Sequence, residues 1–395
     1  MHYALHCKPI GVLATGLAVA TLGFGASAKT PGKTASASRT GPPPVTNLYP
    51  SETAEFSAPP PVAVAGGTQC DTNGNIYLQY YPSVEAIGQM MQLHHSVEGP
   101  PLTEIKVGPR STLEFPVGPF QGYKEASGLG YYVTPSGTVY SLACGLGSGS
   151  EPKGYCAWLV TKYNHDASVD STVKLRPPRG VNLQPSRFAA FHDGSLLVAG
   201  FSVGRHGGAR PFTGIFDAGG NFQGNLTLPD DVAPAPARTK AKRSSPGRLP
   251  ASGRTAKARR DAARRLFAAV GGARIVGALD GTIYLLRDGS PETLYTISSI
   301  GTILREQTIT PPGRGLSPFG VSLTGQGDLF IYYTVEGAGE KSVLALVDPQ
   351  SGKVVSTYNA PPRAGVPACM TNGGDILFAR ESKSGHLAVA DYSPE

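Results

Sequence analysis

The chain has 395 residues, of which 51 are glycine and 35 proline, about a fifth of the total and well above ordinary usage, so a helical bundle is excluded. Only 16% of residues are charged and 40% are hydrophobic, with 17 tyrosines and 14 phenylalanines beside one tryptophan, which suits a large core built from many short strands. The formal charge is +7, but one central segment accounts for more than all of it, which excludes a generally basic domain surface.

Residues 1–28 have the layout of a secretory signal peptide. Lys8 and two histidines lead into an apolar run from Ile10 to Phe24, and Ala26-Ser27-Ala28 closes it as a cleavage site. The run is 15 residues long and holds Gly11, Gly16 and Gly23, whereas a bilayer-spanning helix needs roughly 20 apolar residues. A cleaved leader is therefore preferred over a retained anchor, and the mature chain is expected to begin near Lys29, outside the cytoplasm. Residues 29–50 follow as a Ser/Thr/Pro-rich linker without a fold of its own.

From residue 51 onward one phrase recurs: a turn with glycine, then alternating apolar residues. The first two copies are Asn73-Gly74-Asn75-Ile76-Tyr77-Leu78 and Ser136-Gly137-Thr138-Val139-Tyr140. Next come Asp193-Gly194-Ser195-Leu196-Leu197-Val198 and Asp280-Gly281-Thr282-Ile283-Tyr284-Leu285. Gln326-Gly327-Asp328-Leu329-Phe330-Ile331 and Gly373-Gly374-Asp375-Ile376-Leu377-Phe378 complete the set. Glycine supplies the positive φ of a tight turn, and the residues after it suit a strand. The six turn glycines lie 63, 57, 87, 46 and 47 residues apart, a spacing that indicates a propeller or similar array. In several repeats a hairpin follows whose outer arm ends in proline, as at Pro177-Pro178, Pro229, Pro311-Pro312 and Pro361-Pro362, consistent with an edge strand. Each repeat thus holds four strands.

The sixth repeat stops after a third strand, Leu387 to Tyr392, while an orphan segment, Ala54-Glu55-Phe56-Ser57-Ala58-Pro59-Pro60, has the look of an outer strand. Pairing these ends closes a ring and removes an open sheet edge. The expected fold is all-β, a six-bladed propeller of four-stranded blades closed by an N-terminal strand in the last blade. Closure makes the first and last repeats neighbours, so Cys70 is expected to bond Cys369 across the seam and Cys144 to bond Cys156 inside the second repeat. The alternative is that some of these cysteines are small buried thiols.

The 87-residue interval carries a foreign insert at about 230–265. Between Arg238 and Arg265 eleven Lys or Arg face a single acid, Asp261, which predicts a solvated, disordered excursion. Ala256 to Val270 could form a helix. The insert could hold an anionic envelope polymer through counterion release; the plainer alternative is a tolerated surface insertion.

These repeats resemble those of the NHL-type six-bladed β-propellers, over most of residues 51–395. The chain departs from that pattern in lacking the acidic residue that usually follows the Ile-Tyr strand. It also lacks the Gly-His and Trp-Asp pairs of WD40 repeats, and the lone Trp158 cannot supply the repeated tryptophans of quinoprotein propellers. Such families range from protein and RNA binding to lyase and lactonase chemistry, so the resemblance implies a fold and not one function.

Chemistry-bearing motifs are few. His94, His95, His165, His192, His206 and His386 show no zinc-protease spacing, and no nucleophile elbow, Walker loop or dinucleotide fingerprint is present, so no cofactor and no metal are expected. Asp71, Asn73 and Asn75 imitate the start of a calcium loop, but Asx-Gly is more simply the turn itself. The candidate ligand-binding residues are Arg179, Arg187, Arg274, Arg314 and Arg363, which fall between proline ends and inner strands, with Tyr123, Tyr131 and Phe319 as apolar walls. If those segments border the channel mouth, the guanidiniums face a carboxylate or phosphate in bidentate geometry; otherwise they are solvated charges on separate loops. The reading is an exported, soluble, monomeric binding or scaffold module for a protein, peptide or saccharide. A hydrolase or lyase at the channel mouth and an envelope protein anchored by its insert are the alternatives.

Overall fold

The computed structural model describes residues 43–64, 68–85, 101–116, 120, 122–123, 125–146, 156–203, 209–228, 273–289, 291–335 and 342–394. The leader, most of the linker, His94, His95, His206 and the basic insert with its expected helix lie outside these residues.

The described strands fall into six sheets arranged as a ring of blades. Two strands, β1 (Val45–Thr46) and β2 (Leu48–Glu55), precede the first blade. Blade 1 comprises β3 (Ala63–Val64), β4 (Gln69–Cys70), β5 (Ile76–Tyr81), β6 (Leu102–Lys106) and β7 (Ser111–Phe115). Blade 2 holds β8 (Glu125–Val133), β9 (Val139–Leu146), β10 (Ala157–Tyr163) and β11 (Val169–Lys174). Blade 3 holds β12 (Asn182–Ala190), β13 (Leu196–Val203), β14 (Ala209–Phe216) and β15 (Phe222–Asn225). In blade 4 are β16 (Arg274–Gly277), β17 (Ile283–Arg287), β18 (Glu292–Ile297) and β19 (Ile303–Ile309). In blade 5 are β20 (Leu316–Leu323), β21 (Leu329–Val335), β22 (Ser342–Asp348) and β23 (Lys353–Asn359). Blade 6 is β24 (Val366–Met370), β25 (Ile376–Glu381) and β26 (Leu387–Pro394), with β2 as its outermost strand. Each blade is an antiparallel meander, and the innermost strands β4, β8, β12, β16, β20 and β24 meet around the axis.

The repeated glycine phrase is one local structure used six times. In each turn the glycine N–H donates to the carbonyl three residues earlier, for instance Gly194 to Phe191 at 3.0 Å, and all six glycines have φ between +80° and +92°. That conformation excludes most side chains and sets the hairpin between the first and second strands. The strand after each turn is buried between blades: Ile76, Leu78, Leu197, Val198, Ile283, Leu285, Leu329 and Ile331 have no measurable exposure. Burying each such side chain stabilises by about 1.5–3 kcal/mol.

Closure follows the expected route and adds one feature. Strand β2 pairs antiparallel with β26, with Ala54 opposite Val389, and Phe56, 3% exposed, packs at the seam beside Leu387 and Val389. Disulfides join Cys70 to Cys369, linking β4 with β24, and Cys144 to Cys156 within blade 2. The ring recruits the chain from Val45 onward, earlier than the linker boundary at residue 50 suggests. Strand β1 pairs in parallel with β23, Val45 opposite Thr357, so blade 5 has a fifth strand. An edge strand needs only its backbone for pairing, so the polar sequence Leu48–Glu55, five of whose eight residues point outward in succession, carries little hydrophobic signal.

Candidate functional site

Three inner strands carry a β-bulge at the same level, β8 between Gly128 and Gly130, β12 between Pro185 and Arg187 and β20 between Pro318 and Gly320, and β24 carries one nearer its turn, between Pro367 and Cys369. Three of the four have proline there, which suits a bulge because proline cannot donate to the ladder. The bulge re-aims the residue that follows it. Counting back seven residues from the turn glycines gives Gly130, Arg187, Arg274 and Gly320 in blades 2 to 5. All four line one cavity of about 110 Å³ on the axis, together with Thr68, Gln69, Gln79 and Ser186.

The two arginines are held from behind. Arg274 Nε donates to the Phe319 carbonyl at 2.8 Å and Nη1 to the Ala273 carbonyl at 3.1 Å. Arg187 Nη1 donates to the Ser186 carbonyl at 2.9 Å. Burial pushes the Arg274 guanidinium down to about 10, the Arg187 charge pushes it the same way, and Asp288 opposes them. Burial also lowers Arg187. Arg187 nevertheless keeps substantial accessible surface, as expected of a side chain deep among protein atoms but lining a water-filled passage. Among the described residues Arg187 meets no carboxylate. Gln69 is locked in place, its Nε2 donating to the Tyr131 carbonyl at 3.0 Å and its Oε1 accepting from Val133 N–H at 2.8 Å.

The other candidates are distributed more widely. Arg179, Arg314 and Arg363 are exposed on separate turns and do not line the cavity. Tyr131 borders it, but its hydroxyl donates to the Phe115 carbonyl of blade 1 at 2.5 Å. Tyr123 packs beside Phe120, Ala143 and Leu159 of blade 2. Phe319 is 37% exposed and sits edge-on to Tyr332 with centroids 5.5 Å apart. Of the five arginines Arg187 and Arg274 converge on the cavity, and Gln69, Gln79, Thr68 and Ser186 line it beside them, outside the set the sequence suggests. In the sequence Arg187 and Arg274 share an offset of seven residues from their turn glycines, and the other four share none.

Three buried carboxyls lie elsewhere among the described residues, Glu292, Asp71 and Glu104, the last accepting from the Tyr77 hydroxyl at 2.8 Å. Glu292, without measurable exposure, accepts a hydrogen bond from Tyr333 across the blade 4 to blade 5 interface at 2.9 Å. Burial raises it to about 8, helped by Asp288 and opposed by the tyrosine bond. Asp71 accepts from Asn73 N–H (2.9 Å), Asn75 N–H (3.0 Å) and Tyr77 O–H (3.1 Å), so its carboxylate organises the turn itself. His165, His192 and His386 are exposed on different blades. No group of three or more His, Cys, Asp or Glu able to hold a metal occurs among the described residues.

No family model matches the sequence, and no curated protein matches it. Similar solved structures include a protein of unknown function from Dyadobacter fermentans, with TM-score 0.48 and 9% identity, covering 88% of this chain and 99% of that one. The alpha-L-arabinanase of Penicillium chrysogenum complexed with arabinobiose has TM-score 0.43 and 11% identity, covering 88% and 98%. The Dos1 propeller has TM-score 0.37 and 8% identity, covering 88% and 95%. The architecture assigned to this chain rests on its own strand pairing.

Proposed function

We propose that this chain is an exported, monomeric binding module with NHL-type repeats, which takes a protein, peptide or saccharide ligand on the face where the inner strands begin. The observation that carries this reading is the axial cavity lined by two arginines from neighbouring blades. Strands of neighbouring blades hold the polar groups within it, the arrangement expected of a ligand site. Peptide and glycan arrays test it. A variant with Arg179, Arg314 and Arg363 changed to serine should lose the hits of the parent, whereas His192→Ala in the opposite turns should keep them. No hits, or equal loss in both variants, would refute the assignment of this face.

Export is supported by the leader-like residues 1–28 and by two disulfides, which persist in oxidising compartments. Intact mass of the protein recovered from outside the cytoplasm should place its first residue near Lys29. The insert at 230–265 adds a polycationic arm for an anionic envelope polymer. Its deletion should release the protein from the cell surface without changing its thermal unfolding, and unchanged retention would dispose of that role.

A further inference from the structure

We propose that the axial cavity binds one compact oxyanion, a carboxylate or a phosphoryl group, held between the guanidiniums of Arg187 and Arg274. The inference deepens the assignment of the channel face and depends on it.

Arg187 and Arg274 occupy the same place in adjacent blades, seven residues before their turn glycines, while the corresponding places in the flanking blades are Gly130 and Gly320. One level of the ring therefore has two forked cations on one side and open space beside them. A methyl group built on Gly130 would meet no atom within 4 Å, and Gly130 has no positive φ to explain its presence as a backbone requirement. Carbonyls of Ser186, Phe319 and Ala273 orient the two side chains, so little rotamer freedom remains to be lost on binding. Two like charges held near each other repel, and an anion placed between them reverses the sign of that interaction. The fork geometry suits the paired oxygens of a carboxylate or phosphate. A cavity of about 110 Å³ holds such a group with a few waters. A sugar ring or peptide bearing the group stays at the mouth, where Phe319 is exposed.

Isothermal titration of the full-length protein with inorganic phosphate, and separately with acetate, tests the site. One anion should bind with one-to-one stoichiometry, and the stronger of the two identifies phosphoryl or carboxylate chemistry. Affinity should fall about tenfold or more in Arg187→Gln, which removes one charge, and similarly in Gly130→Val, whose Cβ enters open space at the cavity wall. Should R187Q fail to fold, G130V decides alone, since its position tolerates a side chain. No binding of either anion at millimolar concentration, or binding unchanged in the folded variants, overturns the proposal. Lost array binding in the Arg179, Arg314 and Arg363 variant combined with no anion binding overturns the oxyanion site and leaves the face assignment standing; failure of both removes both.

Discussion

The six turn glycines share a backbone conformation, yet an added methyl group meets different surroundings from turn to turn. At Gly74, φ +80°, it would touch nothing within 4 Å, whereas at Gly137, φ +84°, it would lie 2.8 Å from Asp71 Oδ2 and 3.2 Å from the Tyr77 hydroxyl. Gly74→Ala should cost about 1 kcal/mol from backbone strain alone, and Gly137→Ala about 2–3 kcal/mol because it also displaces a hydrogen-bonded carboxylate. Urea unfolding of both variants gives the comparison. Glu292 supplies a pH dependence. Its carboxyl titrates near 8 in the folded chain against an ordinary 4.5, so between those values the folded state holds a proton that the unfolded state has released. Stability from this group is therefore greatest below about pH 4.5 and falls as pH rises to about 8. Glu292→Gln should flatten that slope and, at alkaline pH, unfold about 1–3 kcal/mol later than the parent. An unchanged slope in denaturation curves across this range would show that Glu292 is not its source.

Strand β2 is mostly solvent-facing, with Leu48 and Ala54 its buried residues, but it covers the edge of β26 and positions Phe56 against the seam. Removing residues 1–55 should bare that edge and produce oligomers by light scattering. Among the described strands, removing residues 1–47 takes away β1 alone and should leave a monomer whose melting temperature drops by a few degrees. Added peptide spanning 48–58 should restore the larger truncation, because the strand contributes pairing and not a catalytic group. The outermost strand of blade 1, β7, carries a weak hydrophobic signal for a related reason: Ser111–Phe115 has only Phe115 buried. In the inner strands Pro185, Pro318 and Pro367 argue against a strand when read singly. Their common placement at bulges explains why they are tolerated there.

At the scale of the ring, two covalent links have different leverage. Cys70–Cys369 closes a separation of 299 residues, and Cys144–Cys156 one of 12. Restricting the unfolded chain over a longer loop stabilises more, so loop closure alone has Cys369→Ser cost about 5–6 kcal/mol and Cys156→Ser about 3 kcal/mol, before native-state relaxation. Equal effects in chemical denaturation would mean that local packing outweighs loop closure. The ring also sets the electrostatics. The segment Arg238–Arg265 carries +10, so the remainder of the chain sums to −3, and a cationic cavity on the axis stands out within a mildly acidic body. Anion binding there should weaken only modestly with salt, since inward-facing charges are screened less than surface ones.

Repeat number, blade content, the closing segment and both cysteine pairings were legible in the residues themselves, because turn glycines and alternating apolar strands are local signals that recur. The path of β1 onto blade 5 and the convergence of Arg187 with Arg274 belong to the tertiary structure. Both depend on placement in the ring: β1 reaches blade 5 through its pairing with β23, and Arg187 and Arg274 meet because β12 and β16 are neighbours around the axis. Arg179, Arg314 and Arg363 fall in the same inter-blade segments as Arg187 but lack its offset of seven residues from the turn glycine, and the ring leaves them exposed on separate turns.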